Sequence, residues 1–408
     1  KATPGKKVTI KASWSKEKFT ARADEDGKWA TTIPTTDAGG PYTLTFDDGE
    51  KTELTDILLG EVWVCGGQSN MEMPVGGFMY QPVDGAAEHI REAAQYPGIR
   101  MFTVPRCISE TPKEDCDTVW RESSPLTVRT FSAAAYFFGK ELHRMLGVPV
   151  GLITSNWGGT VIEAWMSREA LDAIPGRNAE VEKTRSGANA STVLYNGMIK
   201  PICNFTAKGF IWYQGCSNVG KHDQFVERMT TMVNHWRECW DDAEAKLPFY
   251  MVELAPYRNK PYTETPYFAL LRQAQHEAAH SIPNCGIIVT NDLVESYEQD
   301  NIHPAKKNEI AQRMAAFALR DVYGQGGVDV IAPTYASHRV DGSNIFVKFN
   351  NTGAGLCPGS GKPIAGFEIA GADKVFHAAE ARLEGGEVKV WSNEVKEPVA
   401  VRYAFRNY

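Results

Sequence analysis

Between residues 59 and 330 this chain alternates short apolar runs with longer amphipathic ones, and that alternation restricts its fold more than any other feature. The apolar runs are "EVWVC" (61–65), "PVGLITS" (149–155), "GFIWYQ" (209–214), "PFYMVEL" (248–254) and "GIIVTN" (286–291). Among them stand "FSAAAYFFGKELHRML", "QFVERMTTMVNHWREC", "ALLRQAQHEAAH" and "NEIAQRMAAFALRDVY", with apolar residues at i, i+3, i+4 spacing. A strand apolar at nearly every position needs cover on both faces. Alternation with helices supplies that cover, so the expected class is α/β with a parallel sheet.

The flanks have a different texture. Residues 1–58 and 331–408 read as short strands, such as "KVTIKASW", "GGPYTLTFDD" and "NIFVKFNN", punctuated by Gly-Gly and Asp-Gly turns. The expected organisation is an N-terminal β segment (1–58), an α/β domain (59–330) and a C-terminal β segment (331–408). The two flanks either pack together as one β module or stand apart.

Composition removes several function classes. The formal charge of the 408 residues is −7 and no basic cluster stands out, which argues against nucleic-acid binding. No apolar run approaches the roughly 18 residues of a membrane span. The opening "KATPGKKVTI" lacks the apolar core of a signal peptide, so a natural start further upstream is expected. None of the eight cysteines forms a C-x-x-C pair, which argues against a zinc site. Cys107 and Cys116 bracket a polar loop and are candidates to bridge. The sequence sets no quaternary state.

Ligands in such sheets bind beyond the carboxyl ends of the strands. After the first strand comes Gly-Gly-Gln-Ser69-Asn70, after the second Gly158 and Gly159, after the third Asn218, and after the fifth "DLVESYEQDNIHP" with Asp300 and His303. A serine needs a base to take its proton, and a histidine base needs a partner to fix its tautomer. Ser69, His303 and Asp300 are the corresponding types. Asp292, Glu295 and Glu298 are alternative acids on the same loop. The backbone N–H groups of Ser69 and of Gly158 or Gly159, with the Asn218 amide, could receive an oxyanion. Singly, each is an ordinary turn former or cap; their convergence on one sheet edge favours chemistry. The G-x-S-x-G elbow of α/β-hydrolases is excluded, because Met71 holds the second glycine position.

The blocks "GQSNM" (67–71), "NWGGTVIEAWM" (156–166), "LYNGMIKPI" (194–202), Trp-Tyr-Gln-Gly-x-Ser-Asn (212–218) and "DNIHP" (300–304) resemble those of bacterial sialate O-acetylesterases, within the SGNH (GDSL-like) hydrolases. The resemblance implies a flavodoxin-like three-layer α/β/α core and ester hydrolysis with no metal or other cofactor. It implies an exported bacterial enzyme, periplasmic or secreted, that removes acetyl groups from a sugar or glycan. Acetyl xylan or another hemicellulose is the alternative substrate, and a carbohydrate-binding protein impaired in turnover is the alternative class. Ser69 would be the nucleophile, His303 the base, Asp300 its acid, and Ser69, Gly159 (or Gly158) and Asn218 the oxyanion donors. Gln68, Asn70, Gln214, Glu163 and Trp157 are candidates for sugar contact, although Glu163 could instead brace its loop. Cys216 stands where the family commonly has Glu, and a thiol cannot supply a carboxylate's charge or acceptors.

Overall fold

The computed structural model describes the chain except residues 178–183, 204, 259–264, 328, 354 and 358–362. Four antiparallel strands come first: β1 (Lys7–Ala12), β2 (Lys18–Arg22), β3 (Gly39–Asp47) and β4 (Lys51–Leu59), in the order β2-β1-β3-β4. The chain then passes almost directly into the central sheet.

That sheet contains β5 (Glu61–Gly67), β6 (Ile99–Thr103), β7 (Arg121–Glu122), β8 (Val150–Asn156), β9 (Gly209–Tyr213), β10 (Phe249–Val252) and β11 (Cys285–Ile288). Their order is β11-β10-β9-β5-β8-β6-β7, and every neighbouring pair is parallel except β6–β7. The five expected strands are all present. β6 was not anticipated, because Arg100 interrupts its apolar run: Ile99 and Met101 point inward while Arg100 reaches out to Asp56. A half-exposed strand next to the sheet edge lacks the continuous apolar signature of a central one.

Successive residues of each central strand serve opposite layers. Trp63, Cys65, Ile211, Tyr213, Tyr250 and Val252 pack with the helices Ala133–Leu146 and Lys307–Asp321. Val64, Phe210, Trp212, Phe249 and Met251 pack with Phe225–Cys239 and Tyr267–Ser281. This is a three-layer α/β/α core, built on near-continuous apolar strands.

The C-terminal part holds the sheets β12-β13-β17-β16 and β15-β14-β18. These are β12 (Thr334–Asp341), β13 (Asn344–Asn350), β14 (Phe367–Ala370), β15 (Phe376–Ala378), β16 (Glu380–Glu384), β17 (Glu387–Trp391) and β18 (Ala400–Tyr403). Ile345, Val347, Ile369, Val388 and Val390 join the two sheets in one apolar cluster, which among the described residues includes nothing from β1–β4. The chain end returns to the core: Asn407 accepts from Tyr257 N–H at 2.7 Å through its carbonyl and from Phe268 N–H at 3.0 Å through its side chain.

One disulfide joins Cys203 to Cys239. The candidate Cys107–Cys116 bridge does not form, and both are free thiols.

Candidate active site

The first strand, β5, lies between β8 and β9, so the chain builds the sheet outward from it in both directions. Such a reversal opens a crevice beyond the strand ends. Register brings Gly67, Asn156 and Tyr213 side by side at that edge, and the three loops that follow them start as neighbours.

The stretch Gly67–Met71 can be accounted for residue by residue. Gly67 has φ +146°, and a Cβ there would lie 2.3 Å from Tyr213 O, so only glycine lets the turn approach β9. Gln68 is buried and its Oε1 accepts from Gly215 N–H at 2.8 Å. Ser69 begins a single helical turn, Ser69–Glu72. Buried Asn70 donates to Ile302 O at 2.9 Å and accepts from Lys307 Nζ at 2.5 Å. Met71 fills the core, and its carbonyl accepts from Ser132 Oγ at 2.5 Å.

Ser69 Oγ lies 2.8 Å from His303 Nε2, although 234 residues separate them. Both are half-buried, reachable from solvent but shielded on one side. The other ring nitrogen, Nδ1, donates to Gln81 Oε1 at 2.7 Å. Phe78 meets the imidazole edge-on, with centroids 5.2 Å apart.

Asp300 does not occupy the expected place. Its carboxylate turns outward into a two-pronged pair with Arg258, at 2.7 and 3.0 Å. The turn explains this: Asn301 Nδ2 donates to His303 O, and Asn301 Oδ1 accepts from His303 N–H, so the loop is closed by Asn301 and Asp300 is left on its outer side. The alternative acids are engaged elsewhere too. Asp292 pairs with Arg313, Glu295 with Lys306, and Glu298 accepts from the N–H groups of Ala305 and Glu295.

Gly158 packs against the serine, where a Cβ would lie 3.1 Å from Ser69 Cβ. Its N–H donates to Glu72 Oε2 at 2.8 Å, and Glu72 is also paired with Arg106. The Gly158 donor is therefore committed, whereas Gly159 adopts φ +74° with open space around it. Asn218 is buried: its Oδ1 accepts from Ile162 N–H at 3.0 Å and Gln214 Nε2 at 2.7 Å, and its Nδ2 donates to Glu163 Oε2 at 3.1 Å.

Four candidates for sugar contact instead brace the loops. Gln68, Asn70 and Gln214 are buried in the amide network, with Gln214 Nε2 also donating to Thr160 O at 3.1 Å. Glu163 is fully buried between Arg185 at 2.9 Å and Arg228 at 3.2 Å. Burial raises its carboxyl pKa, but the two guanidiniums outweigh that and hold it below the usual range. Trp157 is half-buried, with the Arg106 guanidinium 5.1 Å over its ring.

His303 sits in an unusual electrostatic setting. Burial, then the charge of Lys307, lowers His303 to about 4. Lys307 is itself completely buried, 5.4 Å over the Tyr213 ring, and burial lowers it to about 7. Burial pushes the Cys216 thiol up to about 12, away from the thiolate that a nucleophile needs.

Gln81 and Lys307 were not anticipated. Gln81 lies in an irregular turn 222 residues from His303 and carries no local motif. Lys307 did leave a signal, since it sits three and four residues before Ile310 and Ala311 on the buried stripe of its helix.

Residues 59–320 match the family model "Carbohydrate esterase, sialic acid-specific acetylesterase". The human and Pongo abelii sialate O-acetylesterases are each 29% identical over 361 residues, a match covering 81% of this chain and 68% of the relative. A carbohydrate acetylesterase structure from Xanthomonas citri superposes with a TM-score of 0.88 at 33% identity, covering 100% of this chain and 89% of that one. The chain belongs to the sialic acid-specific acetylesterase family of carbohydrate esterases.

Proposed function

We propose that this protein hydrolyses O-acetyl esters of carbohydrate, with Ser69 as nucleophile and His303 as general base. The observation that carries the reading is the 2.8 Å contact of Ser69 Oγ with His303 Nε2, in a chain of this family. As Ser69 Oγ bonds to the acetyl carbon, its proton passes to Nε2. The oxyanion meets the Ser69 and Gly159 N–H groups and the second Nδ2 hydrogen of Asn218. Collapse breaks the bond to the sugar oxygen, which takes the proton back from the imidazolium. Water, deprotonated by His303, then releases acetate from acetyl-Ser69 and regenerates the serine. The side chains handle every proton, so the route needs no metal.

The names of the relatives favour acetylated sialic acid as substrate over acetylated xylan. An exported enzyme in an oxidising compartment is supported by the Cys203–Cys239 disulfide. The test is acetate release from acetylated sialoglycan and acetylated xylan, side by side, by the protein and by Ser69→Ala. Release by the protein and none by the variant is expected. Undiminished release by the variant rejects the nucleophile, and glycan binding without any acetate would mark a binding protein instead.

A further inference from the structure

We infer that Gln81 is the positioning residue of the base, so that a neutral carboxamide stands where a carboxylate was expected; this rests on the reading of His303 as general base. The imidazole is held from two directions by one short turn. Phe78 and Gln81 exchange both backbone hydrogen bonds at 3.0 Å, and from this bridge Phe78 meets the ring edge while Gln81 Oε1 receives Nδ1–H. Gly77, with φ +79°, makes the turn possible, since a Cβ there would lie 2.5 Å from Gln81 O. Just beyond it, Asp84 N–H donates to Ala305 O at 3.1 Å and ties the turn to the His303 loop.

The chemistry follows from what each atom can do. A carbonyl oxygen only accepts, so it selects the tautomer with hydrogen on Nδ1 and leaves the Nε2 lone pair facing Ser69. When Ser69 Oγ attacks, its proton moves to Nε2 and the imidazolium charge is met by an amide dipole. The charged groups around the ring fit this assignment. Lys307 faces it from the helix side, Glu298 is spent on backbone N–H groups, Asp300 is held by Arg258, and Glu72 beside Ser69 is paired with Arg106. With no carboxylate on Nδ1, the base stays unprotonated in mildly acidic conditions.

The test compares kcat, KM and pH profiles of Gln81→Leu, Gln81→Glu and Asp300→Asn on p-nitrophenyl acetate, with melting curves for each. Gln81→Leu should lose on the order of 10²-fold in kcat with KM little changed, because the tautomer is no longer selected. The near-isosteric Gln81→Glu should stay active, with the acid limb of kcat/KM moved up by about 1–3 pH units, as an opposite charge beside an imidazole requires. A Gln81→Leu protein with unaltered kcat and profile, or a Gln81→Glu protein whose acid limb stays in place, overturns the inference. So does a collapse confined to Asp300→Asn. If Gln81→Leu does not fold, the Gln81→Glu profile alone decides. Ser69→Ala, read separately, tests the nucleophile, so one idea can fail without the other.

Discussion

Lys307 Nζ donates to Asn70 Oδ1 at 2.5 Å, and Asn70 Nδ2 donates to Ile302 O at 2.9 Å. Through this single amide the residue after Ser69 is tied both to the residue before His303 and to the helix behind it. Asn70 and Lys307 are buried and Ile302 is half-buried, so the geometry between Ser69 and His303 is held by bonds that water cannot easily replace.

Removing Lys307 should therefore affect two quantities at once. Lys307→Met leaves Asn70 Oδ1 buried without its donor, a cost of about 1–3 kcal/mol. It also removes the cation that lowers His303, so the acid limb of kcat/KM should move to higher pH. Thermal melting and a pH–rate profile measure the two effects, and an unmoved limb would mean that the lysine charge does not reach the ring.

The pH dependence of the unaltered protein follows with a definite sign. As the proposed general base His303 acts only when neutral, and its ordinary 6.5 is lowered to about 4. Esterase activity should persist well below pH 6 and fall near pH 4. Between about 6.5 and 4 the unfolded chain takes up a proton on this group that the native state refuses. Its contribution to stability is thus complete above 6.5 and declines as pH drops through that window. Kinetics and denaturant midpoints from pH 3.5 to 7.5 check both.

Glu163→Ala should be among the most damaging single changes outside the reacting groups. It strands the buried guanidiniums of Arg185 and Arg228 and frees Asn218 Nδ2. A loss of about 3–5 kcal/mol is expected from breaking such a buried pair. Glu163→Gln keeps the shape but not the charge. It should therefore melt at an intermediate temperature, which calorimetry would show.

Gly158→Ala tests how closely the second loop approaches Ser69. The added methyl would meet Ser69 Cβ at 3.1 Å and Glu72 Oε2 at 3.0 Å. Since a 1 Å misplacement can cost about 10²-fold, kcat on p-nitrophenyl acetate should fall by at least tenfold. The melting temperature should change little, because φ at Gly158 lies outside the left-handed range and the methyl meets only these two side chains closely. Steady-state kinetics and a melting curve decide.

Local pattern alone was enough to read the α/β core, the four main helices and the sheet edge at which Ser69 and His303 meet. Strand and helix periodicities act over a few residues, and the ends of parallel strands must gather at one edge. The partner of the His303 imidazole was not readable. Asp300 is three residues from His303, yet the Asn301 turn sends its carboxylate to Arg258, while Gln81 arrives from a turn set by Gly77 and the packing of Phe78. Likewise the amides of Gln68, Asn70 and Gln214 look like sugar ligands in one dimension and prove to be loop braces in three. Residue type is written in the chain, but the direction of a side chain at a loop is decided by which buried donors and acceptors lack another partner. That accounting closes only when distant segments meet.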